Sequence, residues 1–175
     1  MANVATHILV PMLLAEIYRR NLAKKQFSRW YVFAAGLLGA IPDFDLFYTR
    51  FATGSFNMMY HRSLTHSLFI PALLLVAGAV IYLLYTRSII KYDGWEVCYC
   101  LIFAGSFGLA THTLLDGIDG LQYWFYPLTW KIELPNLIYN KFRAGILDGV
   151  LLLLWLLYDE SMLEDIKKFL GLKKH

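Results

Sequence analysis

The side chains in this sequence best suited to chemistry are imidazoles and carboxylates: His7, Asp43, Asp45, His61, His66, His112 and Asp116. His112 and Asp116, in "HTLLD", stand at i and i+4, so a helix projects both from one face. Asp43 and Asp45, in "PDFD", follow Pro42, which favours an extended or turn backbone over helix. One carboxylate can then face a metal while the other serves a second metal or a ligand histidine. His61 and His66, in "HRSLTHS", are awkward on one helix face but fall together if a helix begins between them, with Ser63 or Thr65 as its N-cap. Imidazole with carboxylate and without thiolate suits Zn²⁺, Mn²⁺ or Fe²⁺. The candidates outnumber what one catalytic zinc with an open position requires, so the expectation is one or two divalent ions.

Those groups need elements to position them, and the composition says which kind. The 175 residues are 58% hydrophobic, 17% aromatic and only 17% charged, with a mean hydropathy of +0.49. These values point to a membrane protein and, at this length, to a single domain over 1–175. A net charge of +3 without a dense basic cluster argues against nucleic acid as the primary partner. Cys98 and Cys100 lie inside an apolar run and read as small buried hydrophobes, not as a disulfide or a zinc cluster. The amino terminus lacks the basic segment of a cleavable signal peptide, and its apolar run holds His7, Pro11 and Glu16.

The clearest membrane segments are Leu68–Tyr85 and Val97–Leu115. Trp30–Tyr48 is apolar until "IPDFD" interrupts it. Ile146–Tyr158 is short, contains Asp148, and extends backwards only if Leu137–Tyr139 joins it; Val4–Tyr18 is the weakest. The predicted fold is therefore all-α, an integral membrane bundle of about four to five helices. Pro71 falls in the first turns of its helix, where a missing N–H is tolerated. Gly105, Ser106, Gly108 and Ala110 would let a neighbouring helix approach closely. Alternate crossing puts Arg19, Arg20, Lys24, Lys25, Arg29, Arg87, Lys91, Lys167, Lys168, Lys173 and Lys174 on one side. That side is then cytoplasmic, with residues 159–175 an amphipathic tail resting on it. On this topology four of the 5 histidines, with Asp43, Asp45 and Asp116, gather at the opposite, extracytoplasmic face.

His7, "PDFD", "HRSLTHS" and "HTLLD" together resemble the YdjM-like family of membrane-bound, predicted metal-dependent hydrolases, over roughly the first 130 residues. That family is in turn distantly similar to zinc-dependent phospholipase C and P1-type nucleases. The resemblance implies metal ligation by His7, Asp43 or Asp45, His61, His112 and Asp116, with His66 a further ligand or a support for one. Those enzymes have additional downstream ligands, whereas here no histidine follows Asp116 except His175, which favours one or two ions over three. The reaction implied is hydrolysis of a phosphoester by metal-activated water, with a lipid head group as one candidate substrate. Asp43 or Asp45, if not a ligand, would orient the water or accept its proton, and Arg62 would contact the phosphate.

Plainer roles stand beside these. Arg62 can snorkel or pair with a nearby aspartate, and Tyr123, Trp124, Tyr126 and Trp130 read as an interfacial belt. Glu16 pairs with Arg19 or Arg20 on its own helix, Asp148 with Arg143 or Lys141, and Asp119 belongs to a glycine-rich turn. The alternative function is a non-catalytic membrane protein that senses, transports or is structurally held by a metal.

Overall fold

Apolar runs in this chain become helices, and Ser, Pro and Gly mark where they start and stop. The computed structural model describes residues 3–54, 64–92, 94–118, 121–128, 132–133 and 141–158, together with Lys167 and Phe169. Among them are α1 (Val4–Asn21), α2 (Arg29–Gly39), α3 (Phe44–Thr53), α4 (Phe69–Thr86), α5 (Gly94–Ile118) and α6 (Lys141–Tyr158). Two 3₁₀ turns, Ile41–Asp43 and Leu64–His66, precede α3 and α4. A minimal antiparallel ladder pairs Leu121 with Glu133 and Gln122 with Ile132.

Ser28 starts α2 by accepting the Trp30 N–H at 3.3 Å. Beyond the end of that helix the turn expected at Pro42 forms as a 3₁₀ turn that holds Asp43, but no extended segment follows and Asp45 is already in helix. Proline sits near the start of the 3₁₀ turn, where its missing N–H is harmless, and the chain re-enters helix at Phe44. The start of α4 also differs from expectation. Ser67 Oγ accepts the Phe69 N–H at 3.2 Å, whereas Thr65 turns its hydroxyl to Asp45; Ser63 lies outside the described residues.

Among the described residues, α4 (18 residues) and α5 (25 residues) are long and apolar enough to cross a membrane. The apolar part of α6, Ala144–Tyr158, is shorter. The weakest expected segment does fold as α1, with buried polar groups along its length.

Helix α5 packs against both α4 and α2, and α1 packs against α2 and α6. The small residues of α5 make this possible. A Cβ on Gly108 would lie 2.2 Å from the Ala35 carbonyl oxygen of α2, while Ser106 Oγ donates to the Pro71 carbonyl of α4 at 2.7 Å. Gly108→Ala should therefore force α2 and α5 apart and cost about 1–3 kcal/mol. Thermal unfolding in detergent checks this, with Gly149→Ala as the control, because nothing lies within 4 Å of a Cβ there.

Two acids on or beside α1 are held by neighbours. Glu16 is buried and pairs with both arginines anticipated for it: Arg19 at 2.7 Å from each carboxylate oxygen and Arg20 at 2.7 Å, with Arg29 of α2 at 3.8 Å. The side chains of Lys141 and Arg143, the partners expected for Asp148, lie outside the described residues, and Asp148 is placed where α6 meets α1. It accepts hydrogen bonds from Asn3 Nδ2 at 2.7 Å and from Thr6 Oγ1, because this face of α6 lies against α1. Cys98 and Cys100 are free and half-buried, and Cys100 lines an apolar cleft with Tyr31 and Phe103.

Candidate metal centre

Helices α1 and α4 begin at the end of the bundle where α2 and α5 finish. The first turns of α1 bring His7 there, and the turn closing α2 brings Asp43. The turn opening α4 adds His66, and the last turns of α5 add His112 and Asp116. His7, His66, His112 and Asp116 are fully buried and Asp43 nearly so. The His7 and His112 rings stack at 3.9 Å between centroids, and His66 meets His112 edge-on at 4.8 Å.

Two groups of three donors result, His7–His112–Asp116 and Asp43–His66–His112. In each, one ligand atom per residue lies within 4.8 Å of the others. The i, i+4 pair on α5 thus serves as expected, and His112 belongs to both groups. Asp116 Oδ2 is 3.3 Å from His66 Nε2 and 3.4 Å from His112 Nε2, and its Oδ1 is 3.3 Å from His7 Nε2. Asp43 Oδ1 stands 3.8 Å from both His66 Nε2 and His112 Nε2. A tetrahedral ion with bonds of about 2.0–2.1 Å separates its ligand atoms by about 3.3–3.4 Å. The Asp116 contacts match that spacing, and Asp43 reaches it with a small inward shift.

The donor chemistry also fits a cation. Both ring nitrogens of His7 and His112 and both carboxylate oxygens of Asp116 are buried without a hydrogen-bond partner among the described residues. Leaving such groups unsatisfied costs on the order of 1–3 kcal/mol each. Protonating the imidazoles would satisfy the carboxylate, but it would place two like charges in rings stacked at 3.9 Å. One shared divalent ion satisfies lone pairs and carboxylates together. Burial alone would raise the Asp43 carboxyl, yet the imidazoles of His66, His112 and His7 outweigh it and hold the group below the ordinary carboxylate range.

Asp45 joins neither donor group. Its Oδ2 accepts the Thr65 hydroxyl at 2.8 Å and lies 3.7 Å from His66 Nδ1, on the far side of that ring. Pro42 explains this: a tight 3₁₀ turn followed at once by helix points successive carboxylates to different sides of His66. His61 and Arg62 lie outside the described residues.

Two further residues support the site. Thr65, read from the sequence only as a cap, links Asp45 to His66. Trp124, read as part of an aromatic belt, is instead buried; its carbonyl accepts the Leu68 N–H at 2.9 Å and the Ser67 hydroxyl at 3.3 Å. Its ring fills the space beside Gly117, where a Cβ would come within 2.2 Å of it. Tyr126 is exposed, as a belt residue would be, and Trp130 lies outside the described residues. The usable signal for Thr65 was its position directly before a candidate ligand; nothing local marked Trp124 out from its aromatic neighbours.

A family model described as YdjM inner membrane protein matches residues 1–165 of the chain. No curated protein and no solved structure matches it.

Proposed function

This chain belongs to the YdjM inner membrane protein family, and we propose that it is a multi-pass membrane hydrolase of phosphoesters that works with a divalent metal at the extracytoplasmic face. The observation that carries this reading is the convergence of three buried imidazoles and two carboxylates at one end of the bundle, with ligand atoms at metal-binding separations. His66, His112 and Asp116 would hold one ion and leave a position for water. His7, facing the other oxygen of Asp116, would either steady that carboxylate or begin a second site, to which His61 is the candidate contributor. Zn²⁺ fits the donor set best, with Mn²⁺ or Fe²⁺ as alternatives. Bound there, the ion would supply an activated water at neutral pH and polarise a phosphoryl oxygen. Asp43, the least enclosed donor and the most widely spaced, is the residue suited to taking a proton from that water. Arg62, next to His61 in sequence, has the planar guanidinium suited to bidentate contact with the phosphate. A centre at the ends of the two apolar spans suits a substrate that lies at the bilayer surface, such as a phospholipid head group.

A second reading, non-catalytic metal binding, makes Asp43 the fourth ligand: four donors around one ion complete a tetrahedron and leave no open position. Metal-loaded protein in nanodiscs, assayed against phosphomonoester, phosphodiester and phospholipid substrates, separates the two. Hydrolysis that disappears on chelation and returns with Zn²⁺ or Mn²⁺ is the expected result. Stoichiometric metal without turnover would favour the second reading, and no stoichiometric metal would overturn both.

A further inference from the structure

We infer that Thr65 is a positioning residue whose hydroxyl fixes which nitrogen of His66 faces the metal centre; the inference rests on the metal reading above. Thr65 Oγ1 donates to Asp45 Oδ2 at 2.8 Å and is 3.0 Å from His66 Nδ1. A hydroxyl has one proton, and an ionised carboxylate only accepts. With that proton given to Asp45, the contact to His66 is a hydrogen bond only if Nδ1–H is the donor and the threonine oxygen the acceptor. A neutral ring protonated at Nδ1 has its lone pair on Nε2, the atom 3.3 Å from Asp116 Oδ2 and 3.8 Å from Asp43 Oδ1. Asp45 cannot impose this directly, because 3.7 Å from Nδ1 is beyond hydrogen-bond reach. The threonine oxygen closes that gap, giving a chain from carboxylate to hydroxyl to imidazole behind the ligand atom. Such outer partners hold ring orientation and raise ligand basicity. Thr65 has no competing duty at the helix start, since Ser67 receives the Phe69 N–H.

The test uses full-length protein in detergent, with Zn²⁺ as the probe. Thr65→Val keeps the shape and deletes the hydroxyl; Thr65→Ser keeps the hydroxyl. Chelator-competition titration should show Zn²⁺ bound about 10–100-fold more weakly by Thr65→Val and nearly as in wild type by Thr65→Ser. Wild-type affinity in Thr65→Val, or equal weakening in both variants, would overturn the inference. ¹⁵N NMR of ring-labelled histidine in the wild-type protein gives a second readout, independent of how the variants fold. A proton on His66 Nδ1 is expected with and without Zn²⁺, and a bare Nδ1 in either state would overturn the assignment. Should wild-type protein bind no Zn²⁺ at all, the metal reading fails, while the metal-free spectrum still decides the hydroxyl link.

Discussion

His112→Ala should empty the metal centre. The residue is fully buried and belongs to both donor groups, so its loss leaves His7 with Asp116 on one side and Asp43 with His66 on the other. Both printed groups of three thus lose a member, and His66, still 3.3 Å from Asp116, would have to hold an ion without its neighbouring imidazole. The variant also loses the ring that stacks on His7 at 3.9 Å and meets His66 at 4.8 Å, so the remaining imidazoles lose their packing. Affinity for Zn²⁺ should fall by more than about 100-fold, beyond the 10–100-fold typical of losing an outer partner. Elemental analysis of purified wild-type and variant protein, followed by competition titration, measures it. Full metal content in the variant would mean that the ion is held elsewhere. The metal-free fold should suffer less, because the substitution removes two buried nitrogens that have no hydrogen-bond partner among the described residues.

Glu16→Ala should be among the most destabilising substitutions in the chain, for a different reason. This carboxylate meets Arg19 and Arg20 at 2.7 Å and Arg29 at 3.8 Å, and its side chain is 1% exposed. Arg19 is itself buried. Removing the shared anion leaves closely spaced guanidinium groups in a poorly hydrated junction of α1 and α2. Breaking a buried pair by deleting one partner costs about 3–5 kcal/mol. Glu16→Gln should cost less, since it retains volume and one acceptor oxygen. Glu16→Leu combined with Arg19→Leu should recover part of the loss, because the pair is replaced and not broken. Thermal unfolding in detergent reads all three variants, and unchanged unfolding of Glu16→Ala would show that water already solvates the junction. Metal content should not change in Glu16→Gln, because Glu16 lies more than two helical turns along α1 from His7.

The sequence disclosed the parts of this architecture that depend on one segment at a time. Continuous apolar runs marked α4 and α5 to within a few residues, and the i, i+4 spacing put His112 and Asp116 on one face. The gathering of histidines at one end was also legible, since it needs only the alternating direction of successive helices. What stayed hidden depends on how segments meet. Pro42 is compatible with an extended segment or a turn, and nothing local tells that a 3₁₀ turn runs straight into helix and leaves Asp45 beside His66 Nδ1. Asp148 accepts from residues 3 and 6, far away in sequence, and local charge rules do not reach such partners. Trp124 resembled its aromatic neighbours until the small Gly117 opposite it was seen to receive the ring.

The sharing of His112 between both donor groups also orders the events of biogenesis. A chain emerging amino terminus first presents His7, then Asp43, then His66, and no described group of three is complete until α5 has followed. An ion met earlier finds at most the pair of Asp43 and His66 beside it. If the centre holds an ion, its capture is therefore expected late, after both apolar helices have been made. Bound metal per chain becomes a measure of how much of the protein has been assembled correctly in the bilayer.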